Sequence, residues 1–258
     1  MTLLIALSTV IIASFIAAAA SVLVHRTVHV EVRRRHNEIG TAVFLQLGVI
    51  FAVLLAFVFS EVWSEYNDAA SAIEMESKAL VGAAILASAL PPAEGLPIIQ
   101  AERTYITGVI RDEWPAMKAG RDEEPTVSVK LSHLIQETAR MRPDNAADLG
   151  TRAQLLTFLE QAQMERSTRL FQLSSGVPIL LWCLLIGFGT VLAIFVTLAG
   201  VENGGALISF SVTFAAAVAA ILVLIHLLDY PFEGALALNS QPFVVALDQI
   251  NHLTTSNP

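Results

Sequence analysis

Polar side chains that could contact water and ions recur along one face of a predicted helix that begins near residue 46. Seven residues make about two turns of an α-helix, so positions spaced by seven share a face. The set spaced by seven is Gln46, Val53, Ser60, Asn67 and Glu74, and the flanking positions are Val49, Ile50, Phe57, Ser64, Ser71 and Lys78. The face changes from apolar to polar along its length, as expected where a helix leaves a membrane.

Copies of this face around an axis would form an ion path. Val53 and Phe57 would make a hydrophobic constriction that gates by dewetting, and the polar positions would line a wet vestibule. The predicted pore-lining residues are Gln46, Val49, Ile50, Val53, Phe57, Ser60, Ser64 and Asn67. The same spacing also packs helices into a closed seam without a hole, and the residues alone leave both interpretations open.

An acidic stripe formed by Glu61, Glu65 and Asp68 runs beside this face, with Glu76 a little further round. If the stripe faces a vestibule, it raises the local concentration of cations, so we expect cations to be favoured. A single copy of such a chain cannot easily enclose a path. A pore therefore requires a ring of copies, for which cyclic symmetry is the natural closed form.

Four apolar stretches could hold this face in a bilayer. They cover residues 3–24, 41–59, 177–199 and 206–228, and about 20 helical residues are needed to cross the hydrocarbon core. All 15 Lys and Arg residues lie between Arg26 and Arg169, which leaves the stretches nearly free of charge, as insertion requires. The first stretch lacks the basic segment that precedes a signal peptide, so we expect it to remain as a span. The predicted fold class is an all-α membrane protein with four transmembrane helices.

The region between the second and third stretches predicts a helical, acidic, water-soluble domain. The second helix continues past residue 61 and reaches residue 90 if Gly82 is tolerated, after which Pro91 and Pro92 stop it. Further helices are predicted over 98–117, 127–141 and 143–173, the last with a buried stripe of Leu149, Leu155, Leu156, Leu159 and Ala162. We divide the chain into transmembrane helices 1 and 2 (1–63), the soluble domain (64–175), transmembrane helices 3 and 4 (176–230) and a C-terminal segment (231–258).

Other chemistries find little support in the sequence. The net charge of −8 disfavours nucleic acid as a partner, because nucleic acid needs a basic surface. The histidines lack partners at ligand spacing and no nucleophile, base and orienting group occur together, so we expect no metal, no cofactor and no enzyme activity.

Asp229 ends the fourth span, where an ionisable group is a functional candidate and capping is the alternative role. We expect Cys183 to be a buried thiol.

Several groups of residues resemble the bestrophin-like family of bacterial membrane proteins, a family of unknown function that is distantly similar to bestrophin ion channels. The groups are Leu47 and Gly48 with 54–57 and 66–69, then 113–115, then 166–170 with Pro178 and Trp182, and finally 228–234. Their order and spacing around four spans carry the resemblance, which covers the chain from residue 36 to about residue 247.

The resemblance implies a channel of the bacterial inner membrane in which the second helix of five copies lines the pore. Animal bestrophins pass anions, so the resemblance does not support the cation preference. Calcium-activated animal bestrophins bind calcium through an acidic cluster after the last span. Here Glu233 is the only carboxylate in residues 233–241, and calcium wants about six to eight oxygen ligands, so we predict no such site.

The leading hypothesis is therefore a homo-oligomeric, multi-pass ion channel whose partners are membrane lipid, inorganic ions and further copies of the chain. The alternative is a non-conducting membrane scaffold or sensor whose soluble domain binds a partner.

The short loop after the first span contains Arg26, Arg33, Arg34 and Arg35. These basic residues place that loop in the cytoplasm and the soluble domain outside. The resemblance implies the reverse orientation. We follow the arginines, because the positive-inside rule concerns short loops directly.

Overall fold

The computed structural model describes residues 1–35, 37–121, 125–142 and 145–255, and all regular structure in these ranges is helical. The α-helices are α1 (Leu3–Thr27), α2 (Val30–Arg35), α3 (Asn37–Ser88), α4 (Pro92–Gly108), α5 (Trp114–Lys118), α6 (Pro125–Arg140), α7 (Ala146–Ser174), α8 (Ile179–Thr197), α9 (Gly204–Leu228) and α10 (Gln241–Thr255). A π-helical turn, Val109–Glu113, joins α4 to α5, and a 3-10 turn, Gly234–Leu236, precedes α10. The predicted all-α fold class is confirmed.

The chain divides into two compact units. The first, which we call the membrane unit, comprises Met1–Ser64 and Gly176–Asp229. The second, the polar unit, comprises Glu65–Ser175 and the described residues from Tyr230 onward. The C-terminal segment thus belongs to the same unit as the region between the second and third spans.

Within the ranges that the structure describes, four helices are long and apolar enough to cross a membrane, namely α1, α3, α8 and α9. Within the membrane unit, α1 packs along α9, and α8 packs against both. Phe44 of α3 lies near Phe195 of α8 and Phe214 of α9, with ring centroids 6.4 and 6.1 Å away. Gly189 lets α8 approach α9, because a Cβ there would lie 3.0 Å from Val218. These apolar contacts hold the helices together while most of their outer side chains stay exposed, as expected for lipid-facing surfaces.

The predicted continuous second helix is confirmed as α3, which passes through Gly82 and ends at Ser88. Gly82 is tolerated because it makes room for α7: a Cβ at this position would lie 3.0 Å from the ring of Phe158. The two prolines act as predicted. Pro91 is the N-cap of α4 and Pro92 is its first residue, where a missing N–H costs nothing.

The buried stripe of α7 differs from the prediction in its first residue. Leu155, Leu159 and Ala162 are fully buried, but Leu149 is 55% exposed. Leu149 lies six residues before Leu155, which places it about 120° around the helix from the stripe. The prediction for Leu149 was therefore wrong. The predicted start of this helix, at residues 143 and 144, lies outside the described residues.

The C-terminal segment, for which no helix is predicted, contains α10, which begins at Gln241. The Asn239 side chain accepts a hydrogen bond from the N–H of Gln241 at 2.9 Å, which orders the approach to the helix. Phe243, Ala246 and Ile250, spaced by three and four residues, are buried against the core of the polar unit. The prediction for Cys183 was also wrong, because this thiol is exposed on α8.

Candidate functional site

The predicted pore face of α3 is uncovered in the single chain. Val49, Val53 and Phe57 are 65%, 66% and 65% exposed, although they lie in the apolar part of the helix. The other predicted pore-lining residues, Gln46, Ile50, Ser60, Ser64 and Asn67, are exposed as well. In a membrane, this face of α3 must therefore contact either lipid or other copies of the chain.

The opposite side of α3 is the packed one. Phe51, Val58 and Val62 are buried. Phe51 and Val58 lie two residues before and five residues after Val53, which places each about 140–160° around the helix from it. In the membrane unit, α3 therefore uses one side for packing and leaves the predicted pore face open.

The acidic stripe lies beside the uncovered face. Glu61 and Asp68 are exposed, and Glu65 is half-buried. Further along α3, Glu74 forms an exposed pair with Lys78 at 2.7 Å. Glu76 departs from the stripe, because its side chain is completely buried. The stripe available to solvent is thus shorter than the sequence suggests.

Asp229 joins the end of α9 to the segment that leads into α8. Its Oδ1 accepts a hydrogen bond from the N–H of Val177 at 2.8 Å, and Asp229 is itself the C-cap residue of α9. The nearby rings of Trp182 and His226 pack edge to face, with centroids 5.9 Å apart. Asp229 is buried, and this geometry favours an anchoring role over contact with a permeating ion.

A second group of polar residues, which we call the charge cluster, fills the core of the polar unit. It consists of Glu76 of α3, Tyr105 of α4, Glu113 of the π-helical turn, and Arg166 and Arg169 of α7. All five side chains are buried, with Arg166 the most accessible at 6%. Two cations face two anions, so the cluster can be electrically neutral although it lies in a hydrophobic core.

Arg169 is the central member of the charge cluster. Its Nε donates to Glu76 at 2.9 Å, and one of its terminal nitrogens donates to Glu113 at 2.7 Å. Tyr105 donates its hydroxyl hydrogen to Glu76 at 2.6 Å, and Arg166 completes the set by bonding the other oxygen of Glu113. Each carboxylate therefore accepts at least two charge-assisted or hydroxyl hydrogen bonds, which is what a buried carboxylate requires.

Burial and charge act in opposite directions on the pKa values of this cluster. Burial alone would lower the pKa of Arg169, but Glu76 and Glu113 outweigh burial and raise it. Burial raises the pKa of Glu76, against the opposing influence of Arg169 and of the Tyr105 hydroxyl. Arg169 therefore stays protonated and supplies the charge that the two carboxylates need.

Aromatic rings from three segments cover the charge cluster. The guanidinium carbon of Arg169 lies 5.5 Å from the ring centroids of both Trp114 and Phe243. Trp114 also packs edge to face against Phe232, with centroids 5.9 Å apart. The segment after α9 and the helix α10 are thereby held to the core of the polar unit, and Tyr66 adds a hydrogen bond to the carbonyl of Leu236 at 2.9 Å.

The charge cluster brings together residue groups that lie far apart in the sequence. Three of the groups that carry the resemblance described above meet in this cluster and its aromatic cover. They supply Glu113 and Trp114, the two arginines of α7, and Phe232. A family model described as a Bestrophin-like domain matches residues 11–243. The chain belongs to the bestrophin-like family. The predicted resemblance is confirmed.

Solved structures show that this bestrophin-like chain also shares the bestrophin fold. A bacterial bestrophin homologue from Klebsiella pneumoniae is 15% identical, with a TM-score of 0.74, and the match covers 96% of this chain and 99% of that one. A single-substitution variant of that homologue is 14% identical, with a TM-score of 0.74 and coverage of 95% and 98%. A structure described only as a membrane protein variant has 15% identity, a TM-score of 0.76 and coverage of 96% and 99%. No curated protein matches the sequence.

The sequence did not reveal that Glu76 and Tyr105 belong to one cluster, or that Phe243 helps to cover it. A usable signal was present in α7, where Arg166 and Arg169 continue the spacing of the buried residues Leu159 and Ala162. Charged residues at positions of a buried stripe indicate a buried ion pair. Among the residues that the structure describes, no group of three or more His, Cys, Asp or Glu is placed to hold a metal ion, and the absence of a calcium site stays a prediction.

Proposed function

We propose that this chain is one subunit of a homo-oligomeric ion channel whose pore is lined by α3. The observation that carries the proposal is the uncovered face of α3, on which exposed Gln46 and Ser60 accompany apolar residues such as Val53. Lipid tails cannot hydrogen-bond an amide side chain, so contact with lipid leaves Gln46 unsatisfied. Water on the axis of a ring would satisfy it.

The packing of α3 supports a ring rather than a pore within one chain. Its buried side is occupied by the membrane unit, through Phe51, Val58 and Val62. An uncovered face that contains polar residues is shielded from lipid most simply by cyclic symmetry, in which the same face of every copy points to one axis. The similarity to bestrophins implies five copies.

The side chains of the uncovered face suggest where the path is narrowest. Val53 and Phe57 are one helical turn apart and both project from the helix. A ring of such side chains excludes water when it is narrow, and a small outward movement would admit it. We therefore assign the gate to Val53 and Phe57, and the hydrated vestibule to Ser60, Ser64 and Asn67.

The proposal includes a cation preference at the vestibule and a location in the bacterial inner membrane. Glu61 and Asp68 are exposed beside the polar end of the uncovered face. Carboxylates at the mouth of a low-dielectric path raise the local concentration of cations. Measuring the reversal potential in a potassium chloride gradient distinguishes cation from anion preference, and the substitutions Glu61→Gln and Asp68→Asn reduce the preference if these residues cause it.

Reconstitution of the purified protein into planar bilayers tests the channel itself. We expect single-channel currents from the wild type and larger or more frequent openings from Phe57→Ala, because a smaller side chain weakens a hydrophobic constriction. The matched control is Leu45→Ala. Leu45 is an exposed apolar residue of the same span, eight residues before Val53 and so about 80° around the helix from it.

Two results would count against the proposal. The first is the absence of current from both the wild type and Phe57→Ala, with the protein shown to be inserted and folded. The second is an equal effect of Phe57→Ala and Leu45→Ala, which would indicate a general loosening of the membrane unit. A scaffold whose copies meet in a closed seam would produce the first result.

A further inference from the structure

Arg33 is buried in the membrane unit, at the end where α1 leads into α3. Only 6% of the residue is exposed. Its terminal nitrogens donate to the carbonyl oxygens of Ala199 at 2.8 Å and Val201 at 3.4 Å, just beyond the C-terminal end of α8. The carbonyl end of a helix carries a partial negative charge, so these bonds stabilise the end of α8.

The charge of Arg33 has no carboxylate partner among the described residues. The neighbouring Arg34 forms an ion pair with Glu202 at 2.7 Å, whereas the contacts of Arg33 are to backbone carbonyls. Its Nε is buried and has no hydrogen-bond partner in the part of the chain that the structure describes. A buried guanidinium with an unused donor and no counter-ion is unfavourable unless an anion approaches it.

A cavity of about 390 Å³ lies directly against Arg33. Asn37 and Thr41 are the other polar lining residues. The remaining wall is apolar, with Val28, Val32, Phe44, Phe195, Val196 and Leu198 among its residues. The volume is within the range of about 300–1,000 Å³ that small-molecule sites occupy. The cavity therefore combines a cation at one end with hydrocarbon walls along the rest.

The position of the cavity identifies the kind of molecule that fits it. It lies at one end of the apolar helices, where the phosphate groups of a bilayer meet its hydrocarbon. An anionic phospholipid offers a phosphate for a guanidinium and an acyl chain for apolar walls. We infer that this cavity binds one anionic phospholipid, with the phosphate beside Arg33 and Asn37 and an acyl chain along Phe44 and Phe195.

Native mass spectrometry of the full chain, purified in detergent, tests the inference. The probes are dioleoyl phosphatidylglycerol, which is anionic, and dioleoyl phosphatidylcholine, which is not. We expect one phosphatidylglycerol per chain to be retained. Its dissociation constant should be about tenfold lower than that of phosphatidylcholine. Inorganic phosphate at millimolar concentration should not displace it, because phosphate lacks the acyl chain.

Gly40 provides a variant that fills the cavity. It lines the cavity, and a Cβ built on it meets no atom within 4 Å, so the side chain of Gly40→Leu begins in open space there. The matched control is Gly187→Leu on α8, where a Cβ also meets nothing within 4 Å but the residue is not part of the cavity wall. Gly40→Leu should lower phosphatidylglycerol retention about tenfold, and Gly187→Leu should leave it unchanged.

Arg33→Gln separates the charge from the shape of the site. It should reduce the binding of phosphatidylglycerol more than that of phosphatidylcholine, because the choline group of the latter already offsets the charge of its phosphate. The inference is overturned if the wild type retains both lipids equally, if Gly40→Leu retains phosphatidylglycerol as the wild type does, or if inorganic phosphate displaces the lipid. If a variant cannot be purified in folded form, the comparison of the two lipids on the wild type still decides the question.

Discussion

Arg169 of α7 and Glu76 of α3 meet in the core of the polar unit, with 2.9 Å between Nε of the arginine and Oε2 of the glutamate. Neither side chain is accessible to solvent. When one member of a buried pair is removed, the other is left as a charge that its surroundings cannot solvate. The pair therefore fixes how α3 packs against α7, and neither residue can be replaced alone without a large cost.

Replacing Arg169 with Met should destabilise the polar unit strongly. Glu76 and Glu113 would lose their shared cation, and breaking a buried ion pair typically costs about 3–5 kcal/mol in the free energy of unfolding. Chemical denaturation followed by tryptophan fluorescence measures the loss. Arg140→Met is the control, because Arg140 pairs with Glu137 at 3.3 Å on the surface, and exposed pairs contribute at most about 1 kcal/mol. Equal effects of the two substitutions would show that the charge cluster does not stabilise the fold.

Glu102 of α4 should make stability fall as the pH rises. It is buried, both of its carboxylate oxygens lack partners among the described residues, and burial raises its pKa well above the ordinary value of 4.5. In the unfolded chain Glu102 ionises near its ordinary pKa, whereas in the folded chain it keeps its proton to higher pH. Its contribution to stability is therefore complete below the ordinary pKa and is lost as the pH rises toward the raised one.

The substitution Glu102→Gln tests this pH dependence. The amide has nearly the same shape and cannot ionise, so the variant should be more stable than the wild type at neutral pH and should show a flatter decline from mildly acidic to neutral pH. Thermal unfolding at a series of pH values provides the comparison. Glu160→Gln, at an exposed position of α7, should keep the slope of the wild type. An unchanged slope in Glu102→Gln would mean that Glu102 is ionised in the folded chain.

Two glycines on facing helices should respond differently to the same substitution. A Cβ at Gly82 would lie 3.0 Å from the ring of Phe158, whereas a Cβ at Gly150 would meet nothing within 4 Å. Gly82→Val should therefore destabilise the polar unit by about 1–3 kcal/mol through overpacking. Gly150→Val should change stability by no more than about 0.5 kcal/mol. If both variants unfold at the same temperature, the result would contradict the close packing of α3 on α7 at Gly82.

The fold was predictable from the sequence because each span is a long apolar stretch bounded by charge. The end of α3 was predictable for a similarly local reason, since Pro91 and Pro92 cannot continue a helix. The register of α7 was less predictable at its first turn, where Leu149 is apolar but lies off the buried stripe. The helix α10 was missed although Phe243, Ala246 and Ile250 recur at helical spacing, because the short segment also contains turn-forming residues.

The charge cluster could not be assembled from the sequence, because its members are separated by long stretches of chain. Glu76 and Arg169 are 93 positions apart, and nothing local distinguishes a buried glutamate from the exposed Glu74 two residues before it. The uncovered face of α3 was easier to predict, since it depends only on spacing within one helix. What covers that face depends on other copies of the chain, which a single sequence does not contain.

The orientation predicted from the sequence rests on four arginines in the first loop, and two of these have structural partners. Arg33 bonds the carbonyls at the end of α8, and Arg34 pairs with Glu202. Packing at this end of the membrane unit accounts for the buried Arg33, which weakens the arginine count against the orientation implied by the family.

We therefore predict that the polar unit faces the cytoplasm. The exposed Lys118 replaced by Cys, in a Cys183→Ser background, should not react with an impermeant maleimide in intact cells and should react after permeabilisation. Labelling in intact cells would instead restore the orientation predicted from the arginines.

The central claim is that α3 of several copies surrounds a hydrated axis. The most direct measurement is the structure of the purified oligomer in lipid, with the distance across the symmetry axis between equivalent Phe57 side chains. We predict a cyclic ring in which Val53 and Phe57 form the narrowest point and Ser60 and Ser64 face water. An assembly in which the α3 helices lie apart and face lipid, or press together along the whole length from Gln46 to Ser64, would contradict the claim.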